Sequence, residues 1–379
     1  MIDGVRSSAP LLSRRVTELS ALIGGGSWLA LVAWGSVGRL ERLFLLAPLV
    51  IVPLVFVLLG RGVRSRWYRA AVWLQPIGAA FVVVSFTLSR GILAGLSIVP
   101  WLIVTVTVAA WGFGRLVSRD RVSVSALAVD AGLLYVVVGS SWLLCSRLGL
   151  EPMGFSDAIV FFTAVHFHYA GFTLPILTGV TGRVVKVIGR SSLRRVYTGA
   201  ATTIIVGPGL IAAGITLSPL VEIVAVTTLA GGVIAFALVT LCIVPERSNR
   251  IQQVALTISS IAVAVSMLFA FGYGLSQFLG QTIAGLRIDT MVAIHGQLNA
   301  IVFGLVGALG WAVSVPSADT HRTPPLSSLT SSGRVGAAFL KRNGLQGPGA
   351  PIGQMEQLAA YARPGFDPEA VHPAVRTFY

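Results

Sequence analysis

Charge is what this chain has least of. Asp, Glu, Lys and Arg supply 11% of its 379 residues, against roughly a quarter in a soluble globular protein. Hydrophobic residues supply 55% and the mean hydropathy is +0.83, so a single water-soluble core is excluded in favour of a chain that crosses a membrane repeatedly. Cysteine is nearly missing: Cys145 and Cys242 cannot build a disulfide framework or a thiolate metal site. Lysine is limited to Lys186 and Lys341 among 28 basic residues. No His-Glu-x-x-His pair, Gly-x-Ser-x-Gly elbow or Walker loop is present, which leaves hydrolysis and nucleotide chemistry without their usual residues. Histidine occurs five times.

What is there in quantity is apolar runs of bilayer length. Taking about 20 apolar residues per crossing, we expect ten spans: residues 20–37, 43–59, 70–88, 92–113, 124–145, 157–180, 198–217, 219–244, 254–279 and 291–315. The first follows Arg14 and Arg15 in the manner of a leader peptide. It has no clear small-residue cleavage site, and its Gly24-Gly25-Gly26 suits close packing, so it reads as a helix. The formal charge of +14 follows the loops rather than a nucleic-acid surface. The amino-terminal segment, the loops after even-numbered spans and the tail hold 23 basic residues, and the opposite loops hold 5. That asymmetry places both termini in the cytoplasm. The expected architecture is therefore an all-α, polytopic transmembrane bundle in a bacterial inner membrane. It comprises a cytoplasmic segment 1–19, a ten-helix domain 20–315 and a flexible cytoplasmic tail 316–379, where short helices are expected near Gln354–Ala362 and from Asp367.

Three of the five histidines, His166, His168 and His295, fall inside apolar spans, where ionisable groups are costly and mark functional positions. Counting about 1.5 Å per residue from the outer ends of spans six and ten, they lie in neighbouring layers, and the two spans could bring them together. Positions 166 and 168 are about 200° apart on a regular helix. Either the helix is unwound near Gly171 and Pro175, or each imidazole serves a different neighbour. Thr163 and Tyr169 share the face of His166, and Asn299 lies one turn after His295. Tyr169 and Asn299 are thus candidate cofactor-binding partners. Asp130, placed at mid-depth, and Asp157, at the outer edge, are candidates for a proton path. Such a set suits haem or a transition metal (Fe, Cu or Zn), in a redox or proton-handling role. The bland alternative is three buried histidines bonded to carbonyls or hydroxyls between packed helices. A different class, a proton-coupled transporter of a small molecule, is suggested by Gln75-Pro76, Gly207-Pro208-Gly209 and the triple glycine, which resemble the interruptions of broken transport helices. The lipid bilayer is the expected partner in either case, and nucleic acid is not.

The string from Pro152, Gly154, Phe155 and Asp157 through residues 163–172 (Thr-Ala-Val-His-Phe-His-Tyr-Ala-Gly-Phe), with residues 295–300 (His-Gly-Gln-Leu-Asn-Ala) and Gly307 to Trp311, resembles the YndJ-like family of bacterial integral membrane proteins. The resemblance is strongest in spans six and ten. It implies a multi-pass membrane protein, with transport of an undefined substrate as the activity sometimes given to the family.

Overall fold

The computed structural model describes residues 3–35, 37–119 and 122–317, with side chains from residue 12 onward. By contact the chain divides into Met1–Ala318 and Asp319–Tyr379; the second unit, and with it the helices expected in the tail, lies outside the described residues. The described residues of the first unit form helices joined by short loops, with no strand among them. Ten helices are long and apolar enough to cross a membrane, as the hydropathy pattern predicts. They are α1 Leu12–Trp34, α2 Arg39–Leu59, α3 Arg66–Thr87, α4 Ile92–Val117, α5 Val124–Leu148, α6 Asp157–Ile188, α7 Ser191–Leu217, α8 Pro219–Glu246, α9 Arg250–Leu279 and α10 Ile288–Val313. Most run a turn or two beyond the apolar stretch that announces them, because Arg and Tyr at the ends extend the helix without adding hydropathy.

Helix ends follow local chemistry. The Ser123, Ser218 and Asn249 side chains accept hydrogen bonds from the backbone N–H groups of Ala126, Val221 and Gln252, starting α5, α8 and α9. Gly149 and Gly280 close α5 and α9 in the left-handed conformation, at φ 75° and 64°. The interruptions do not fall where Gly and Pro predict them. Helix α3 runs through Pro76, α7 runs through Pro208, and α1 stays helical through its three glycines. The perturbed helices are α2, α6 and α10, which contain π-helical turns at Ala47–Ile51, Phe167–Thr173, and Met291–Gly296 with Leu298–Leu305.

Helix α2 is the centre of the bundle, buried almost throughout from Leu43 to Leu59. Its two prolines explain how the neighbours are joined. Ala47 N–H donates to Phe44 and Pro48 has no N–H, so the Leu43 carbonyl loses both its possible helical partners. Val52 N–H reaches back to Ala47 and Pro53 has no N–H, which leaves the Pro48 carbonyl in the same position. A buried carbonyl must find a donor. Leu43 takes the hydroxyl of Tyr169 from α6 at 2.6 Å. Pro48 takes the Gln75 side-chain amide from α3 at 2.8 Å, and the Gln75 oxygen in turn accepts from Ser20 of α1 at 2.5 Å. Glycine is needed where α1 meets α2: a Cβ on Gly24 would lie 1.9 Å from the Leu49 carbonyl oxygen, whereas Gly25 and Gly26 face open space.

Candidate functional site

The π-helical turns Ala47–Ile51 of α2, Phe167–Thr173 of α6 and Leu298–Leu305 of α10 face one another inside the bundle. His168 lies within the α6 turn, His166 immediately precedes it, and His295 lies in the other α10 turn, Met291–Gly296. π-turns widen a helix by a residue, free carbonyls, and recur at functional sites. The freed carbonyls here are taken up by side chains. Thr173 Oγ1 donates to the His168 carbonyl at 2.9 Å, and Asn299 Nδ2 donates to the His295 carbonyl at 3.0 Å.

The expected convergence of all three imidazoles does not occur. His168 has no exposed surface and turns toward α2, α4 and α5, with its ring edge-on to Phe44 at 4.8 Å and parallel to Trp101 at 6.1 Å. Its Nδ1 bonds the Ala164 carbonyl at 2.8 Å, and its Nε2 accepts from Trp101 Nε1–H at 3.2 Å. The indole can only donate, so Nδ1 carries the proton. Both ring nitrogens are thereby spent, and neither is left to hold haem or metal. Gly139 makes room for this ring, since a Cβ there would lie 2.7 Å from His168 Nδ1. Of the two outcomes the i, i+2 spacing allows, separate neighbours is the one realised.

His166 and His295 do meet. Their rings lie near parallel, at 27° and 6.4 Å between centroids. His166 Nδ1 bonds the Phe162 carbonyl at 2.8 Å, so a backbone oxygen, rather than Thr163 or Tyr169, sets its tautomer. Thr163 bonds Ile159 instead, and Tyr169 is committed to Leu43. His166 is exposed at the bundle surface, and its Nε2 makes no hydrogen bond with the described residues. His295 is half-buried. Its Nδ1 lies 2.9 Å from Ser266 Oγ and 3.1 Å from the Ser266 carbonyl of α9, and its Nε2 lies 3.1 Å from Asn299 Nδ2. The Asn299 amide also donates to Ser266 Oγ at 2.7 Å. One uncommitted imidazole nitrogen therefore stands beside a second imidazole held in a Ser–His–Asn network. Among the described residues no group of three or more His, Cys, Asp or Glu is placed to hold a metal ion.

The two carboxylates lie elsewhere. Asp130 is buried and clamped by Arg115 (2.7 Å) and Arg119 (2.5 Å) near the α4–α5 connection. Counting from Val124, it is about a turn and a half into α5, nearer the helix end than the mid-depth expected for it. Asp157 pairs with Arg90 at the rim where α6 begins. Both are ion-pair partners in the structure, and neither contacts an imidazole. Ser266 and Trp101 are the site residues that sequence reasoning missed. Nothing distinguishes Ser266 from the other serines of α9, because only the packing of α9 on α10 selects it.

A model of the family described as YndJ-like protein matches residues 42–303. That interval begins in α2 and ends in α10, and so takes in the turns that build the site. A relative from Bacillus subtilis (strain 168), called uncharacterized membrane protein YndJ, is 27% identical over 346 residues, which cover 89% of this chain and 61% of the relative. This chain thus spans about three fifths of that protein's length. No solved structure matches. With the family model covering more than half of a ten-span helical bundle, the chain belongs to the YndJ-like family of membrane proteins.

Proposed function

We propose that this membrane protein handles protons at the His166–His295 pair, in a bacterial cytoplasmic membrane with both termini inside. The observation that carries the proposal is the uncommitted Nε2 of His166 beside His295, at the junction of the π-helical turns of α6 and α10. A charge on one of these imidazoles disfavours a charge on the other, which couples their protonation. A proton arriving at His166 Nε2 turns both nitrogens of that ring into donors while Nδ1–H stays on Phe162. The Ser266 carbonyl can only accept, so His295 Nδ1 carries the proton, and the ring can receive a second one only at Nε2, once the Asn299 amide swings away. No carboxylate pairs with either ring among the described residues, so the new charge is met by water or by movement of α6 against α10. Such movement is the coupling that proton-driven passage of a small solute requires, which keeps transport as the physiological form of this reading. The loop asymmetry of 23 basic residues to 5 supports the orientation.

The test is 15N-histidine NMR of the bilayer-embedded protein between pH 8 and 5, with His166→Gln and His295→Gln variants. Coupled titration of the pair, with His168 silent, is the expected result. Signals of both rings unchanged across the range would sink the proposal. Stoichiometric transition metal in the purified protein, lost in both variants, would replace it with a two-imidazole metal site.

A further inference from the structure

Far from the histidines, where α1 begins, α2 ends, α3 begins and α10 ends, a half-open cleft of about 790 Å³ lies between the helices. On α1 it is lined by Arg14, Thr17 and Ala21, the same helical face that meets α2 at Gly24. The packed seam between the two helices thus continues into a furrow. The furrow is layered. Below the rim its walls carry apolar Leu54, Phe56 and Ala312 together with buried Thr17 and Tyr68, whose hydroxyls are spent on the Arg14 and Phe56 carbonyls, and the exposed Leu22 opens it toward the bilayer-facing surface. Its rim is charged. Arg14 and Glu18 form a 2.7 Å ion pair that stays largely exposed, and exposed Arg61, across the cleft at the end of α2, forms no ion pair with the described residues.

We propose that this cleft binds one membrane glycerophospholipid with a zwitterionic, ethanolamine-type headgroup. The charge pattern selects the occupant. Arg61 offers its guanidinium fork to a phosphate, and Arg14, whose Nε is held by Glu18, adds its terminal nitrogens. Glu18 offers a carboxylate to an ammonium that carries N–H donors. The apolar furrow below receives an acyl chain, whose burial against side chains costs nothing relative to bilayer lipid while the headgroup contacts confer selectivity. A purely anionic headgroup leaves Glu18 opposed to its charge. A choline headgroup cannot donate a hydrogen bond to it. The arginine-rich helix ends on this face, including Arg64, Arg66 and Arg69, put the cleft at headgroup level.

The experiment is native mass spectrometry of the full chain released from nanodiscs containing equal parts of ethanolamine, glycerol and choline phospholipids. The wild type is expected to retain one ethanolamine lipid in preference to the other two. Arg61→Gln is expected to lower retention of that lipid about tenfold, the size of one lost charge-assisted hydrogen bond. Glu18→Gln is expected to reverse the preference toward the anionic glycerol lipid, a change that general loss of structure cannot produce. Ala21→Trp fills the furrow and is expected to abolish retention of all three. Equal retention of the three lipids by the wild type, or an unchanged preference in Glu18→Gln, overturns the proposal whether or not the tryptophan variant folds.

Discussion

The Tyr169 hydroxyl donates to the Leu43 carbonyl across 2.6 Å, and Leu43 is in need of a donor because Pro48 has none to give. A proline in α2 thus determines what a tyrosine in α6 does. Replacing Tyr169 with Phe strands a buried carbonyl and should cost about 1–3 kcal/mol, read as a lower unfolding midpoint in detergent. In a Pro48→Ala background, where residue 48 regains an N–H, the same replacement should cost measurably less. Equal costs in the two backgrounds would show that the proline does not create the demand.

The histidines should separate by role. His168→Ala removes a ring with no exposed surface and two spent nitrogens, so a loss of about 2–5 kcal/mol is expected from the cavity and the orphaned partners. His166→Ala removes an exposed ring and should leave the unfolding midpoint within about 0.5 kcal/mol of wild type, while abolishing the coupled titration of His295. Comparable destabilisation by both variants would contradict the division between core and site.

The triple glycine of α1 should resolve into one demanding position and two indifferent ones. Gly24→Ala drives a Cβ into the Leu49 carbonyl, whereas Gly25→Ala and Gly26→Ala meet nothing within 4 Å. Overpacking of this kind costs about 1–3 kcal/mol, so the Gly24 variant should give less folded protein on size-exclusion chromatography and the other two should match wild type. Equal behaviour of all three would place α1 differently on α2.

Asp130→Asn removes the shared counter-ion of Arg115 and Arg119. Breaking a buried pair costs about 3–5 kcal/mol; the arginine side chains here are 25% and 21% exposed, which puts the expected loss at the low end. The His166 and His295 signals should be unaffected, because Asp130 contacts neither ring. Altered imidazole titration in this variant would restore Asp130 to a proton path.

Composition and run length were sufficient for the all-helical class and the ten spans, since a helix that must satisfy its own backbone in lipid has to be long and apolar, and both properties are local. Local pattern likewise marked His166, His168 and His295 as costly residues in an apolar setting, with Tyr169 and Asn299 as their candidate partners, without distinguishing the core histidine from the other two. Packing made the remaining decisions. Turning His168 to Trp101, Tyr169 to Leu43 and Ser266 to His295 depends on which helices are neighbours, and a π-turn shifts every later residue around its helix in a way that hydropathy does not record. The same holds for proline: Pro48 and Pro53 act with π-turns in α2, while α3 and α7 absorb Pro76 and Pro208. A missing N–H is written in the chain, but the side chain that comes from another helix to satisfy the stranded carbonyl is chosen only in three dimensions.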